Sequence, residues 1–207
     1  MKRKTWIFAL AACAAWCWGP GAFAEEYRHP ATGLVFPETL AGMGRISVRD
    51  YEPQSPGMGV SVGYKRPGMT ATIYLYAAGM DAIPDGIDSP EVKEHFRQVV
   101  EEIVAYGRSN NQENMRKTAE GEASFGMPGA ERRALSADFR FSLDGSSRRS
   151  KVDLLGWQNH FLKVRYTYEA EGKDAAERTH EELMDLLADR LKLASAVPAE
   201  APAGGGE

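Results

Sequence analysis

The residue with the clearest potential for chemistry is Ser61, which lies in the segment Gly-Val-Ser-Val-Gly at positions 59–63. This spacing matches G-x-S-x-G, in which a nucleophilic serine stands on a sharp turn between a strand and a helix. Here the five residues lie inside an alternating run, 58–65, that predicts a continuous strand with another strand after it. Without the turn and the helix there is no oxyanion site, so we interpret the segment as strand. A serine hydrolase using Ser61 is the alternative function.

The histidines offer little support for a metal or cofactor site. Glu91 and His95 are four residues apart, as are His180 and Met184, so each pair shares one face of a helix. Two ligands do not complete a metal site, and the sequence has no HExxH motif. We therefore predict no catalytic residue, no metal and no cofactor from the motifs.

Aromatic and basic residues on predicted strands are the candidates for a binding surface: Tyr74, Tyr76, Tyr166, Tyr168, Arg140 and Arg149. Each tyrosine pair has i, i+2 spacing and so shares one face of its strand. If the two strands are close, four rings line one surface; the alternative, which we favour, is that a helix covers them as core. The two arginines are expected opposite one another in a hairpin, as a basic patch or as charges that protect a strand edge.

The elements that must position these residues alternate strands with only two helices. Period-2 runs predict strands at 45–51, 58–65, 69–77, 116–125, 133–143, 147–157 and 160–168. In the first of these, Ile46 and Val48 are expected on the apolar face. Helical spacing predicts helices from Ser89 to about Gly107 and from Asp174 to about Leu193. We predict an α+β domain: one antiparallel sheet of about six or seven strands with two helices packed on it, in the order βββ-α-ββββ-α.

This element order resembles the PsbP-like fold, an antiparallel sheet sandwiched by helices, over residues 33–193. The segments 29–51 (HPATGLVFPETLAGMGRISVRDY) and 83–89 (IPDGIDS) resemble a family of exported bacterial proteins to which no activity is assigned. The resemblance implies export and an α+β fold, and it transfers no site residue.

The N-terminus has the order of a secretory signal. Basic residues at 2–4 precede an uncharged run at 6–18, helix breakers follow, and Ala-Phe-Ala ends at Ala24. We predict cleavage after Ala24 and a periplasmic or secreted protein. The alternative is a lipoprotein acylated at Cys13, because residues 10–13 (LAAC) have the pattern of a lipobox. Cys13 and Cys17 are the two cysteines, so the cleaved chain has neither a disulfide nor a thiol nucleophile.

The rest of the chain is predicted to form a single α+β domain, 25–194, followed by a disordered Ala/Pro/Gly tail, 195–207. Removing three basic residues with the signal leaves 22 Lys+Arg of the original 25 against 29 Asp+Glu, a formal charge of −7. This acidic balance argues against nucleic-acid partners. We predict an exported, non-enzymatic accessory or binding protein that acts through a surface or groove between sheet and helices.

Overall fold

The computed structural model describes residues 26–196. The signal segment, the cleavage position after Ala24, the lipidation alternative at Cys13 and residues 197–207 of the predicted tail lie outside the described residues. The predicted α+β class and the order of three strands, a helix, four strands and a helix are confirmed, with three two-residue strands added at the start. The elements are β1 (Tyr27–Arg28), β2 (Val35–Phe36), β3 (Thr39–Leu40), β4 (Met43–Asp50), β5 (Val60–Arg66), β6 (Met69–Tyr76), α1 (Pro90–Ser109), β7 (Glu113–Phe125), β8 (Arg132–Leu143), β9 (Ser146–Trp157), β10 (His160–Glu169) and α2 (Lys173–Ala196).

Eight of the strands form one antiparallel sheet in the order β3-β4-β5-β6-β10-β9-β8-β7, while β1 and β2 pair with each other. The sheet consists of two strand meanders, β4–β6 and β7–β10, joined side by side where β6 pairs with β10. Side chains on β6 and β10 therefore lie at the centre of the sheet.

The two helices cover opposite faces of the sheet. Val92, Phe96 and Ile103 of α1 pack in a cluster with Phe139 and Phe161. The second cluster joins leucines of α2 to the alternate residues of the same central strands: Leu183, Leu187, Leu191, Ile73, Leu162 and Val164. Because successive residues of a strand point to opposite faces, Phe161 belongs to the α1 layer and Leu162 to the α2 layer.

The helix α1 begins at its predicted cap, whereas α2 begins at Lys173, one residue before the predicted Asp174. Ser89 caps α1, its hydroxyl accepting a hydrogen bond from the Val92 N–H at 3.2 Å, and Pro90 occupies the first turn. α2 continues through Ser195 and Ala196, two residues that the sequence assigned to the tail. The folded unit therefore reaches two residues farther than expected.

The strand β4 departs from the predicted alternation, and β7 also has register shifts against β8. The register of β4 against β5 shifts between Arg45 and Ser47, which marks a β-bulge. Arg45 and Val48 then share the α2 face, while Ile46 is 57% exposed. The prediction that Ile46 and Val48 lie together on the apolar face was therefore wrong, because a bulge inserts one residue and reverses the parity beyond it.

Candidate functional site

The strands that carry the two tyrosine pairs are neighbours, but the pairs lie on opposite faces of the sheet. In the β6–β10 register, Tyr74 is opposite Lys163, whereas Tyr166 is opposite Ala71. Ala71 is one of the buried residues in the α2 cluster. The four rings therefore do not line one surface, because the residues of a strand that differ by an odd number point to opposite faces.

Tyr166 and Tyr168 belong to the core beneath α2, as the favoured interpretation predicted. Their ring centroids lie 5.7 Å apart, and both side chains are buried. Burial raises the pKa of each phenol to about 12. These two residues are unavailable to a ligand in this arrangement.

Arg140 and Arg149 are directly opposite one another on β8 and β9, as the hairpin predicted. Arg149 is in turn opposite Tyr168 on β10, which places the arginine pair on the α2 side of the sheet. Tyr74 and Tyr76 are on the α1 side, so the arginine pair and this tyrosine pair do not form a common site.

The other face carries a cavity of about 560 Å³ between α1 and the sheet. Its floor consists of two rows of residues that are neighbours across the strands. The first row is Ser61, Tyr74 and Lys163. The second row is Ser47, Thr72 and Arg165, with Gly63 between Ser47 and Thr72. Its roof is the face of α1 that presents Val99, Glu102, Ile103 and Tyr106. Gly63 leaves the floor open, because a Cβ built there would stand 2.6 Å from the Ser47 hydroxyl oxygen.

Lys163 lies at the centre of this floor. Its ammonium nitrogen is 4.4 Å from the ring centroid of Tyr74 and 5.1 Å from that of Tyr76. Burial and the neighbouring charge of Arg165 lower the pKa of Lys163 to about 8. Within residues 26–196 the ammonium forms no ion pair with a carboxylate.

Arg165 lies two residues farther along β10, on the same face. Burial lowers the pKa of its guanidinium, and no carboxylate of the described chain bonds to it. Among the residues of 26–196 that line the cavity, Glu102 on α1 is the only acidic one. Burial raises the pKa of Glu102, although the charge of Lys163 acts in the opposite direction.

His95 and Tyr76 define one end of the cavity. The Tyr76 hydroxyl and His95 Nε2 are 2.8 Å apart, and the imidazole stacks on Phe161 with a centroid separation of 3.9 Å. Burial, together with the charge of Lys163, lowers the pKa of His95 to about 4. The ring is therefore a neutral hydrogen-bonding partner of Tyr76 at physiological pH.

Ser61 lines the cavity without the geometry of a nucleophile elbow. It is 4% exposed, it lies within β5, and its hydroxyl is 3.3 Å from the Tyr51 hydroxyl. The strand continues to Arg66 and is followed by a turn into β6, so no helix N-terminus faces Ser61. The strand interpretation is confirmed for residues 60–63, and the elbow that a serine hydrolase would need is not formed.

The paired side chains elsewhere do not add a metal site. His180 on α2 bonds to Asp153 on β9 at 2.8 Å, beneath the helix and away from the cavity. Over residues 26–196 there is no group of three His, Cys, Asp or Glu side chains that could hold a metal ion.

Sequence reasoning missed Lys163, Arg165 and the cavity above them. The signal was present in 161–168 (FLKVRYTY), where charged residues occupy alternate positions of a strand whose other face is apolar. Such a face looks solvent-exposed in sequence, because nothing local shows that α1 passes over it.

Comparisons with known proteins add likenesses of fold. The chain matches no known protein-family profile and no curated protein sequence. Similar solved structures include cyanobacterial PsbP (CyanoP) from Synechocystis sp. PCC 6803, with 12% identity, 87% of this chain and 96% of that chain covered, and a TM-score of 0.45. LpqN from Mycobacterium tuberculosis, described as involved in cell envelope biogenesis, has 12% identity, 63% and 70% coverage and a TM-score of 0.35. PA94 from Pseudomonas aeruginosa, a protein of unknown function, has 12% identity, 77% and 94% coverage and a TM-score of 0.36.

A PsbP is among these structures, as the element order suggested, and the likeness concerns the fold alone. No helix within the described residues is long and apolar enough to cross a bilayer.

Proposed function

We propose that the chain is an exported binding protein that holds a small molecule in the cavity between α1 and the sheet. The observation that carries the proposal is the cavity itself. Its volume of about 560 Å³ falls within the range of roughly 300–1,000 Å³ typical of small-molecule sites. Its lining combines apolar side chains with a few convergent polar groups, the composition by which such sites bind and orient a ligand.

The cavity lining also holds hydrogen-bonding capacity that the described chain does not use. Gln112 Oε1 and Arg148 Nε are buried without a hydrogen-bond partner, and both residues line the cavity. Ser47 also lines this space. Buried polar groups are nearly always satisfied in folded proteins, so a bound molecule or water is their expected partner.

Binding without turnover is the form of the function that we favour. Ser61 is held in mid-strand, and its hydroxyl is near Tyr51 rather than a histidine. The serine hydrolase alternative would require that the same serine be activated by a base.

A cavity-filling substitution tests the binding function. The probe is N-phenyl-1-naphthylamine, an uncharged dye whose fluorescence rises in apolar sites, and the variant is Thr72→Trp on the cavity floor. The matched control is Thr118→Trp on exposed edge strand β7. We expect wild type and control to bind alike and Thr72→Trp to lose about tenfold or more in affinity, or about 1.4 kcal/mol. Wild-type protein that binds no dye, or a Thr72→Trp variant that binds as tightly, would overturn the proposal.

Export rests on the order of basic, uncharged and small residues in positions 2–24. Expression of the full chain with intact-mass measurement of the envelope fraction tests it. We expect the mass of residues 25–207. A chain beginning at Cys13 with acyl mass would identify the lipoprotein alternative, and an uncut cytoplasmic chain would contradict both.

A further inference from the structure

We propose that the ligand is an amphipathic organic anion, whose acidic head is held by Lys163 and Arg165 and whose apolar body lies against α1. This inference rests on the binding function proposed above and names the class of molecule that the cavity takes. Three features of the cavity support it: two cations without a carboxylate at ion-pair distance, an excess of positive charge, and apolar side chains beside the cations.

The two cations are placed to act together. Lys163 and Arg165 differ by two positions on β10, so they project from the same face with Cα atoms about 7 Å apart. An anionic head with two or three oxygens can bridge groups at that spacing, with the planar guanidinium binding two oxygens at once. Thr72, opposite Arg165 on β6, also lines the cavity.

Several cations of the described chain are ion-paired, whereas Lys163 and Arg165 have no carboxylate at ion-pair distance. Arg133 bonds to Asp88 and Glu122, and Lys151 pairs with Asp138 at 3.5 Å. Lys163 and Arg165 are less exposed than Arg133, yet within residues 26–196 neither has a carboxylate at ion-pair distance. A partly buried cation is costly unless it is paired, so an anion supplied from outside is the missing partner.

Charge balance within the cavity points the same way. Arg49, Arg148, Lys163 and Arg165 line it against the single carboxylate of Glu102, in a chain whose formal net charge is −4. Arg148 is already paired with Glu169 at 3.0 Å. The charges of Glu102 and Lys163 act on each other, but among residues 26–196 no carboxylate is at ion-pair distance from Lys163 or Arg165.

Apolar side chains line the cavity beside the cations. Val99 and Ile103 of α1, together with Phe141 and Leu143 at the end of β8, line the cavity. An ion consisting of a head alone would leave this surface in contact with water. An aromatic or aliphatic body attached to the acidic head would cover it, which favours an amphipathic anion over inorganic phosphate.

Two dyes that differ by one sulfonate separate charge recognition from cavity binding. We expect wild-type protein to bind 1-anilinonaphthalene-8-sulfonate about tenfold more tightly than its uncharged parent, N-phenyl-1-naphthylamine. Lys163→Met and Arg165→Met should each lose that preference while they bind the uncharged dye as wild type does. Lys163→Arg should retain the preference, and Lys151→Met, which removes a cation on the other face of the sheet, should behave as wild type.

Competition then tests the apolar body. Decanoate should displace the sulfonated dye, whereas inorganic phosphate at the same concentration should not. Displacement by both alike would contradict the amphipathic ligand. Equal affinity for the two dyes, or a sulfonate preference that survives in both Met variants, would overturn the anion inference and leave the binding function standing. Wild-type protein that binds neither dye, or a Thr72→Trp variant that binds both dyes as tightly as wild type, would instead overturn the proposed function itself.

Discussion

Lys163 and Tyr74 are directly opposite one another where β6 and β10 join the two halves of the sheet, with the ammonium nitrogen 4.4 Å from the ring centroid. A cation–π contact of this kind contributes about 0.5–2 kcal/mol. It compensates only part of the cost of removing the ammonium group from water. The unliganded cavity therefore stores a destabilising charge that an anionic ligand would relieve.

Replacing Lys163 by Met should stabilise the unliganded protein at neutral pH. The folded-state pKa of about 8 is lower than the ordinary 10.5, so folding disfavours the charged form. The full penalty, about 2 kcal/mol after allowance for the lost cation–π contact, applies below pH 8. Between pH 8 and 10.5 the unfolded chain binds more protons, so this penalty shrinks as the pH rises.

Urea denaturation of wild type and Lys163→Met at pH 7 and pH 9.5 measures this difference. We expect the variant to be more stable at pH 7 and the two proteins to converge at pH 9.5. Lys151→Met is the matched control, because Lys151 is paired with Asp138 on the outer strands and its loss should matter little at either pH. A Lys163→Met protein that is less stable than wild type at pH 7 would contradict the account.

His95 should make the fold sensitive to mild acid. Its folded-state pKa of about 4 lies below the ordinary 6.5, so the unfolded chain takes up a proton first as the pH falls. Stability should therefore decrease from pH 6.5 to pH 4, with about 2–3 kcal/mol of that loss due to His95. His95→Gln, compared with wild type by urea denaturation at pH 7 and pH 4.5, should show a smaller loss.

His29 provides an independent check on that assignment. Burial and the charge of His160 lower its pKa to about 4 as well, although it lies outside the cavity. His29→Gln should reduce the loss of stability between pH 7 and pH 4.5 by a similar amount. The reduction in the double variant should equal the sum of the two single reductions. An acid dependence unchanged in His95→Gln would mean that the imidazole is charged or exposed in the folded protein.

The elements of this fold could be predicted from sequence because each is encoded by local periodicity. The helix α1 begins at a recognisable cap, and most of the seven long strands show alternation that survives in the structure. Local sequence does not show whether residues on two different strands lie on the same face of the sheet. Tyr74 and Tyr166 lie in one sheet but on opposite faces, and only the β6–β10 register decides this.

The candidate site was harder to predict than the fold for a related physical reason. Lys163 and Arg165 have the pattern of a solvent-exposed strand face, and their burial comes from α1, more than fifty residues earlier in the chain. The bulge at Arg45–Ser47 is a second case, because its single inserted residue reverses the exposure of Ile46 without any Gly or Pro to mark it. A single sequence does not reveal which distant element covers a strand face, or where the register between two strands shifts.

The Gly-Val-Ser-Val-Gly segment should depend on its first glycine for stability. Gly59 has a φ of +59°, and a Cβ built there would lie 1.9 Å from the Leu75 carbonyl oxygen. Gly59→Ala should therefore destabilise the protein by about 3 kcal/mol or more in urea denaturation. Gly121→Ala, which has open space around it on edge strand β7, should change stability by less than about 0.5 kcal/mol.

Ser61→Ala should be far milder than Gly59→Ala. It removes one hydroxyl contact with Tyr51, a loss of about 1 kcal/mol, and leaves the strand intact. Turnover of p-nitrophenyl acetate by wild type and variant checks the alternative function. Equal background rates agree with a strand residue, whereas an esterase rate that Ser61→Ala abolishes in a stable protein would establish the serine hydrolase.

Two isoleucines test the bulge in β4. Ile46 is 57% exposed beside the bulge, whereas Ile73 at the centre of β6 is fully buried. Ile46→Ala should change the free energy of unfolding by less than about 0.5 kcal/mol, and Ile73→Ala should lower it by about 3 kcal/mol. Comparable losses at the two positions would mean that Ile46 faces the core, as simple alternation predicted.

The C-terminal limit of the fold can be located by truncation. The indole N–H of buried Trp157 donates to the Ser195 hydroxyl oxygen at 3.3 Å, and that hydroxyl donates in turn to the Leu191 carbonyl oxygen at 2.9 Å. We expect a chain that ends at Ala196 to have the same melting temperature as the full chain. A chain that ends at Ala194 should melt about 2–4 °C lower, because the buried indole loses a hydrogen bond worth about 1 kcal/mol. Ser195→Ala in the full chain should reproduce most of that loss, and equal melting of all four proteins would place the end of the folded unit before Ser195.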